Sequence, residues 1–87
     1  MQVAKIAEIT RVPLPIDYRR MYRGRAHVQV GQQLVNPAEI EFVLELSPYG
    51  SQNVTVSFLD QTDYPIIPAL RIIKEHIKSL DRSGGLP

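Results

Sequence analysis

The sequence predicts a two-layer α+β domain: a small antiparallel sheet of three to four strands packed on one C-terminal amphipathic helix. Two observations predict it. Apolar residues recur with period two over residues 25–59, the spacing of strands with one buried face, and over residues 67–81 the period lengthens to that of a helix. A helix stripe and the inward face of a sheet must cover each other, so the two elements form two layers.

The first segment, "MQVAKIAEITRV", is ambiguous in period. Val3, Ile6, Ala7 and Thr10 suit a helix, whereas Ile6, Ile9 and Val12 among polar residues suit a bulged strand. Its β-branched content and the "VPLP" that follows favour a strand. Next comes "PIDYRRMYRGR", read as a connection, leading into "RAHVQVG", where Ala26, Val28 and Val30 alternate with Arg25, His27 and Gln29 until Gly31 ends the run. The clearest strand is "EIEFVLEL", with Ile40, Phe42, Leu44 and Leu46 on one face. After the turn-forming "SPYGSQ", "NVTVSFL" repeats the period through Val54, Val56 and Phe58, so residues 39–59 read as an antiparallel hairpin.

"DQTD" then suits a turn, and "YPII" a short edge strand in which Pro65 is tolerated. In the predicted helix, Ala69, Leu70, Ile73, Ile77 and Leu80 form one stripe opposite Arg71, Lys74, Glu75 and Lys78. Pro68 suits its first turn and Gly84 its end, with residues 82–87 a flexible tail. The expected core is Ile40, Phe42, Leu44, Val56, Phe58, Leu70, Ile73 and Ile77. The far face of the sheet is expected to carry Glu39, Glu41, Val43, Glu45, Thr55 and Ser57, with Arg25 and His27.

Composition bounds the class. A chain of 87 residues makes a single domain, 1–87, with a lean core. Its 44% hydrophobic and 22% charged residues lie outside the range of disordered chains. No cysteine is present to form a disulfide or a thiolate metal site. No apolar run reaches the roughly 18 to 20 residues needed to span a bilayer. A soluble, cytoplasmic protein without membrane association is expected.

The net charge of +1 conceals a segregation: residues 1–30 carry six basic and two acidic groups, residues 31–63 five acidic and no basic ones, and residues 64–87 four basic and two acidic ones. Charge separated in this way steers partners or lets one copy dock on another. Together with the unpaired edges of an open sheet, it predicts a homodimer.

Within residues 34–78, "LVNPAEIEFVLE", the hairpin, "FLDQTDY" and the closing helix resemble the small FlbD-like proteins associated with flagella and swarming, in which an Asn-Pro turn leads into an Ile-Glu strand. Asn36, Pro37, Ile40 and Glu41 carry the match. The resemblance covers about half the chain, leaves the arginine-rich segment unaccounted for, and implies a regulatory interaction protein.

Catalytic and metal chemistry lack a pattern. His27 and His76 lie on different elements without a ligand spacing, Glu39, Glu41 and Glu45 lie on a wet strand face, and the glycines form no phosphate-binding motif. No cofactor and no metal are expected, and the chain reads as a non-enzymatic binding or adaptor module acting through protein–protein interaction. The candidate binding residues are Tyr18, Arg19, Arg20, Tyr22, Arg23 and Arg25, because guanidinium forks bind carboxylate or phosphate and tyrosines offer stacking surfaces. A nucleic-acid-binding module using the same segment, 18–25, is the alternative, although a sequence pI near 8.1 falls below the range of dedicated nucleic-acid binders.

Overall fold

The computed structural model describes the backbone of residues 1–87 and every side chain except that of Leu34. Five strands, β1 (Gln2–Val12), β2 (Arg19–Val30), β3 (Gln33–Leu34), β4 (Ala38–Leu46) and β5 (Gln52–Phe58), precede one helix, α1 (Ile66–Ser83). The four long strands form an antiparallel sheet in the order β1-β2-β4-β5, with the two-residue β3 paired to the end of β2. The helix covers one face, which makes the domain α+β. No helix among the described residues is long and apolar enough to cross a membrane.

The predicted hairpin is β4 and β5, paired from Ile40↔Phe58 to Leu46↔Gln52 without irregularity. Its turn is closed by Ser47, whose hydroxyl accepts hydrogen bonds from the Tyr49 and Ser51 amides at 3.3 and 3.1 Å. Gly50 supplies the positive φ the turn requires. All eight expected core residues join one cluster, with Phe58 and Leu70 at its margin.

The first segment is a strand with two bulges, between Val3 and Lys5 and between Ala7 and Thr10. At the second bulge Glu8 adopts φ 54°, and Ile6 and Ile9 close over Gly24 of β2. The absent side chain there allows the approach. A Cβ on Gly24 would lie 3.1 Å from Ile6 Cγ2, 3.2 Å from the Ala7 carbonyl oxygen and 3.3 Å from Ile9 Cγ1.

Two expectations are corrected. The arginine-rich stretch is strand and not connection, since β2 begins at Arg19, six residues before Arg25. Its inward positions Arg20, Tyr22, Gly24, Ala26 and Val28 do alternate, but an arginine and a glycine among them hide the period. "YPII" forms no strand either: Pro65 is the N-cap of α1 (φ −60°, ψ 124°), and Ile66 and Ile67 occupy the exposed first turn. The proline ring sets a dihedral suited to a helix entry, and Tyr64, ahead of it, enters the core edge-on to Phe58 (ring centroids 6.0 Å apart).

At its other end α1 runs to Ser83 and closes on Gly84 (φ 77°), with the Gly85 amide donating to Leu80 O at 2.8 Å and the Gly84 amide to Asp81 O at 3.2 Å. This pair of bonds is a Schellman cap. Beyond it Leu86 folds back against the core, and the Tyr22 hydroxyl donates to the Pro87 oxygen at 3.1 Å.

Gly24→Ala should cost about 1–3 kcal/mol by forcing the bulge away from β2. Urea denaturation measures it, and an unchanged midpoint would mean that the bulge yields freely.

Candidate functional site

The face of β2 that a side chain occupies decides what its charge can do. Arg19, Arg23 and Arg25 point away from the helix, onto the open face of the sheet. Each meets a carboxylate there: Arg19 Nε lies 3.5 Å from Glu45, Arg23 Nε 3.2 Å from Glu41, and Arg25 Nε 3.1 Å from Glu8 on the neighbouring bulge. The first two pairs are direct cross-strand partners in the β2–β4 register. Between them Met21 faces Val43, whose side chain is buried although it lies on this outer face. The expected polar face is thus a lattice of opposite charges around a small apolar centre.

Arg20 and Tyr22 point inward. Tyr22 is fully buried and stacks on Phe42, ring centroids 5.2 Å apart and 20° from parallel. Arg20 Nη2 donates to Asp81 of α1 at 3.0 Å and Nη1 to the Tyr22 hydroxyl at 3.4 Å, while Gln52 Nε2 donates to the other Asp81 oxygen at 3.2 Å. Asp81 therefore ties the last turn of the helix to β2 and β5. Partial burial opposes the Arg20 charge, but the hydrogen bond to Asp81 and electrostatic attraction to the Tyr22 oxygen and the Asp81 carboxylate outweigh it, and the guanidinium pKa is raised. Of the six candidate residues only Tyr18 is free of such ties in its side chain, standing exposed beside an open recess lined with Glu45, Leu46, Ser47 and Pro48.

All four arginines that dominate the sequence are thus held by carboxylates of the same chain. Among the described residues, the basic side chains without an ion pair within 4.0 Å are Lys5, Arg11, Arg71, Lys74 and Arg82. Three of these five lie on α1. Ile67, Arg71, Lys74, Lys78 and Arg82 follow one another at steps of four, three, four and four residues, so they form a single row along the helix. Ile67, Arg71 and Arg82 in this row are exposed, Lys74 and Lys78 are half-buried, and the buried residues Ala69, Ile73 and Ile77 lie on the other side of the helix. Sequence reasoning placed Arg71, Lys74 and Lys78 on the polar side of the helix and Arg82 in the tail, and nothing in the sequence marked Arg71, Lys74 and Arg82 as cations without an ion pair.

Of the four side-chain carboxylates without an ion pair among the described residues, Asp17 lies between β1 and β2 and the other three gather at one place. Glu39, Asp60 and Asp63 lie where β4 begins and β5 ends, with the Glu39 amide donating to Asp60 at 2.8 Å. His27 lies on the sheet opposite Lys5 and His76 on the helix. Among the described residues no three histidine or acidic side chains converge as a metal site.

Comparison with known proteins adds one match: the model of the BB-0187 family aligns with residues 1–82. The chain belongs to that family. The aligned region takes in all five strands and the helix through Arg82. No curated protein and no solved structure matches the chain.

Unequal roles for the arginines follow. Arg20→Ala should destabilise by about 1–2 kcal/mol, because it removes the donor to one Asp81 oxygen and to the Tyr22 hydroxyl and leaves Asp81 without its cation. Arg19→Ala, Arg23→Ala and Arg25→Ala should each cost at most about 0.5 kcal/mol, as exposed pairs do. Denaturation of the four single variants checks the ranking.

Tyr64 supplies a test in pH. Its hydroxyl is buried without a hydrogen-bond partner, and burial raises its pKa above the ordinary value. The folded state thus favours the protonated form, whose contribution is complete below about pH 10 and is lost as pH rises through the folded pKa. Tyr64→Phe should raise stability by about 1 kcal/mol at neutral pH, and should lessen the alkaline loss. Denaturation at neutral and alkaline pH measures both; a less stable variant would show that the hydroxyl is satisfied.

Proposed function

We propose that this protein is a small non-enzymatic binding module whose contact surface is the solvent face of α1 and whose partner is an acidic segment of another protein. The single observation that carries this reading is the row Ile67, Arg71, Lys74, Lys78 and Arg82, in which an exposed isoleucine precedes cations of which, among the described residues, only Lys78 has a carboxylate within 4.0 Å, that of Glu75. Carboxylates of a partner gain most from cations that have no intramolecular partner. The β2 arginines offer less, because a ligand must first displace Glu45, Asp81, Glu41 or Glu8.

The apolar start of the row favours protein over nucleic acid. Ile67 gives a partner side chain a surface to bury, and a phosphate backbone has no use for it. The resemblance of residues 34–78 to FlbD-like proteins points the same way, towards a regulatory interaction protein. A non-catalytic role is supported by the carboxylates, which are ion-paired with cations of the same chain or lie exposed. A cytoplasmic location fits a chain without cysteine. Nucleic acid is the alternative occupant of the same row.

Replacing Arg71 and Lys74 by glutamate should abolish capture of an acidic peptide by α1 while leaving the thermal midpoint within a few degrees. Titration of poly-glutamate and of single-stranded oligonucleotide, each over a salt series, tests both readings. A tighter oligonucleotide complex whose affinity falls steeply with salt would favour nucleic acid. Equal binding by wild type and variant would remove the helix row as the surface.

A further inference from the structure

The two edges of the sheet are protected to different degrees. On β1 two bulges interrupt the ladder, Glu8 is left-handed, and Lys5, Glu8 and Arg11 present charges. These features resist the addition of a strand. On β5 none of them occurs: Gln52–Phe58 contains no charge, proline, glycine or bulge, and its centre is β-branched. The bonds from the Leu59 amide to Glu39 O at 2.8 Å and from the Ser47 amide to Ser51 O at 2.8 Å set the phase of the β4–β5 ladder, in which the odd-numbered residues of β5 bond to β4. By the antiparallel alternation, the amides and carbonyls of Gln52, Val54, Val56 and Phe58 then point outward from the sheet. Among the described residues no other strand pairs with that edge.

We infer that the β5 edge pairs with β5 of a second copy, antiparallel about a two-fold axis at Thr55, to give one continuous sheet through the dimer. This register sets Gln52 against Phe58 of the second copy and Val54 against Val56, so that all seven residues are paired and the outward groups of all four are satisfied. Thr55, on the exposed face, meets its own counterpart across the axis.

What selects a second copy as the occupant is the arrangement of charge along the strand. The Phe58 end carries Glu39, Asp60 and Asp63, which have no cation within 4.0 Å among the described residues. The Gln52 end adjoins the last turns of α1, where Gln52, Lys78, Asp81 and Arg82 line one recess with Leu44. A two-fold axis at Thr55 brings each end beside the opposite end of the other copy, acid against base. Apolar groups follow the same exchange. Leu59 and Ile66 stand exposed at the Phe58 end, and Leu46 and Tyr49, the latter 96% exposed, at the Gln52 end.

The pairing shares Lys78 and Arg82 with the helix row but does not use Arg71 or Lys74, so replacing those two by glutamate tests the helix surface without touching the dimer contacts. Sedimentation equilibrium from micromolar to about millimolar protein should give a mass approaching twice the 9.9 kDa of one chain. Thr55→Lys places two like charges opposite each other on the axis and should weaken the dimer by at least about tenfold, with an unchanged circular dichroism spectrum. Asp60→Lys with Asp63→Lys should weaken it independently, and adding Lys78→Asp with Arg82→Asp should restore it. A 9.9 kDa mass at every concentration would overturn the inference, including the case in which β5 accepts a foreign strand. A dimer indifferent to both Thr55→Lys and the charge exchange would overturn it equally.

Discussion

The register of β2 against β4 is the constraint on which the other features depend, because it assigns every side chain of both strands to the core or to water. With Tyr22 opposite Phe42 and Arg23 opposite Glu41, the aromatic pair stacks beneath the helix while the ion pair forms on the far face. A slip of one residue would exchange the faces, placing arginines beneath the helix and Tyr22 in water. Burying unpaired guanidiniums costs far more than a surface ion pair contributes. The charges on β2 thereby specify the register even though each exposed pair adds little stability.

From that register follow the bulges and the helix tie. Tyr22 fills the space beneath α1, so the neighbouring inward position must be small, and Gly24 lets Ile6 and Ile9 close from β1. Arg20, next on the same face, reaches the edge of the core, where Asp81 of the helix and Gln52 of β5 meet it. One acidic side chain thus joins three elements near the helix terminus. The sheet is consequently held at its two ends by different means, apolar packing at the bulge and a charged network beside the cap.

The consequence for function is a redistribution of available charge. Arginine is concentrated in β2, yet pairing neutralises that concentration locally, while the sparser cations of α1 keep their fields. A partner responds to charge that is not already compensated, so the most basic stretch of a sequence and the most basic surface of its fold are different places here. Acidic groups divide in the same manner, with Glu41 and Glu45 ion-paired across the sheet and Asp60 and Asp63 without a cation partner beyond β5. The acids without an ion pair beyond β5 precede the helix, and three of the five cations without one lie along it.

Local periodicity was enough to specify the α+β class, the β4–β5 hairpin and the helix stripe: Ile40, Phe42 and Leu44 alternate unmistakably, and Ala69, Ile73 and Ile77 keep helical spacing. The bulged nature of β1 was also legible in the broken spacing of Ile6, Ile9 and Val12. That "RRMYRGR" is strand was settled only by long-range packing, since its inward face is built from Arg20, Tyr22 and Gly24, whose suitability rests on Asp81, Phe42 and Ile9 arriving from other elements. The same holds for which cations remain unneutralised, because ion pairing is a property of distance between segments as far apart as Arg20 and Asp81, which composition and spacing along one chain do not encode.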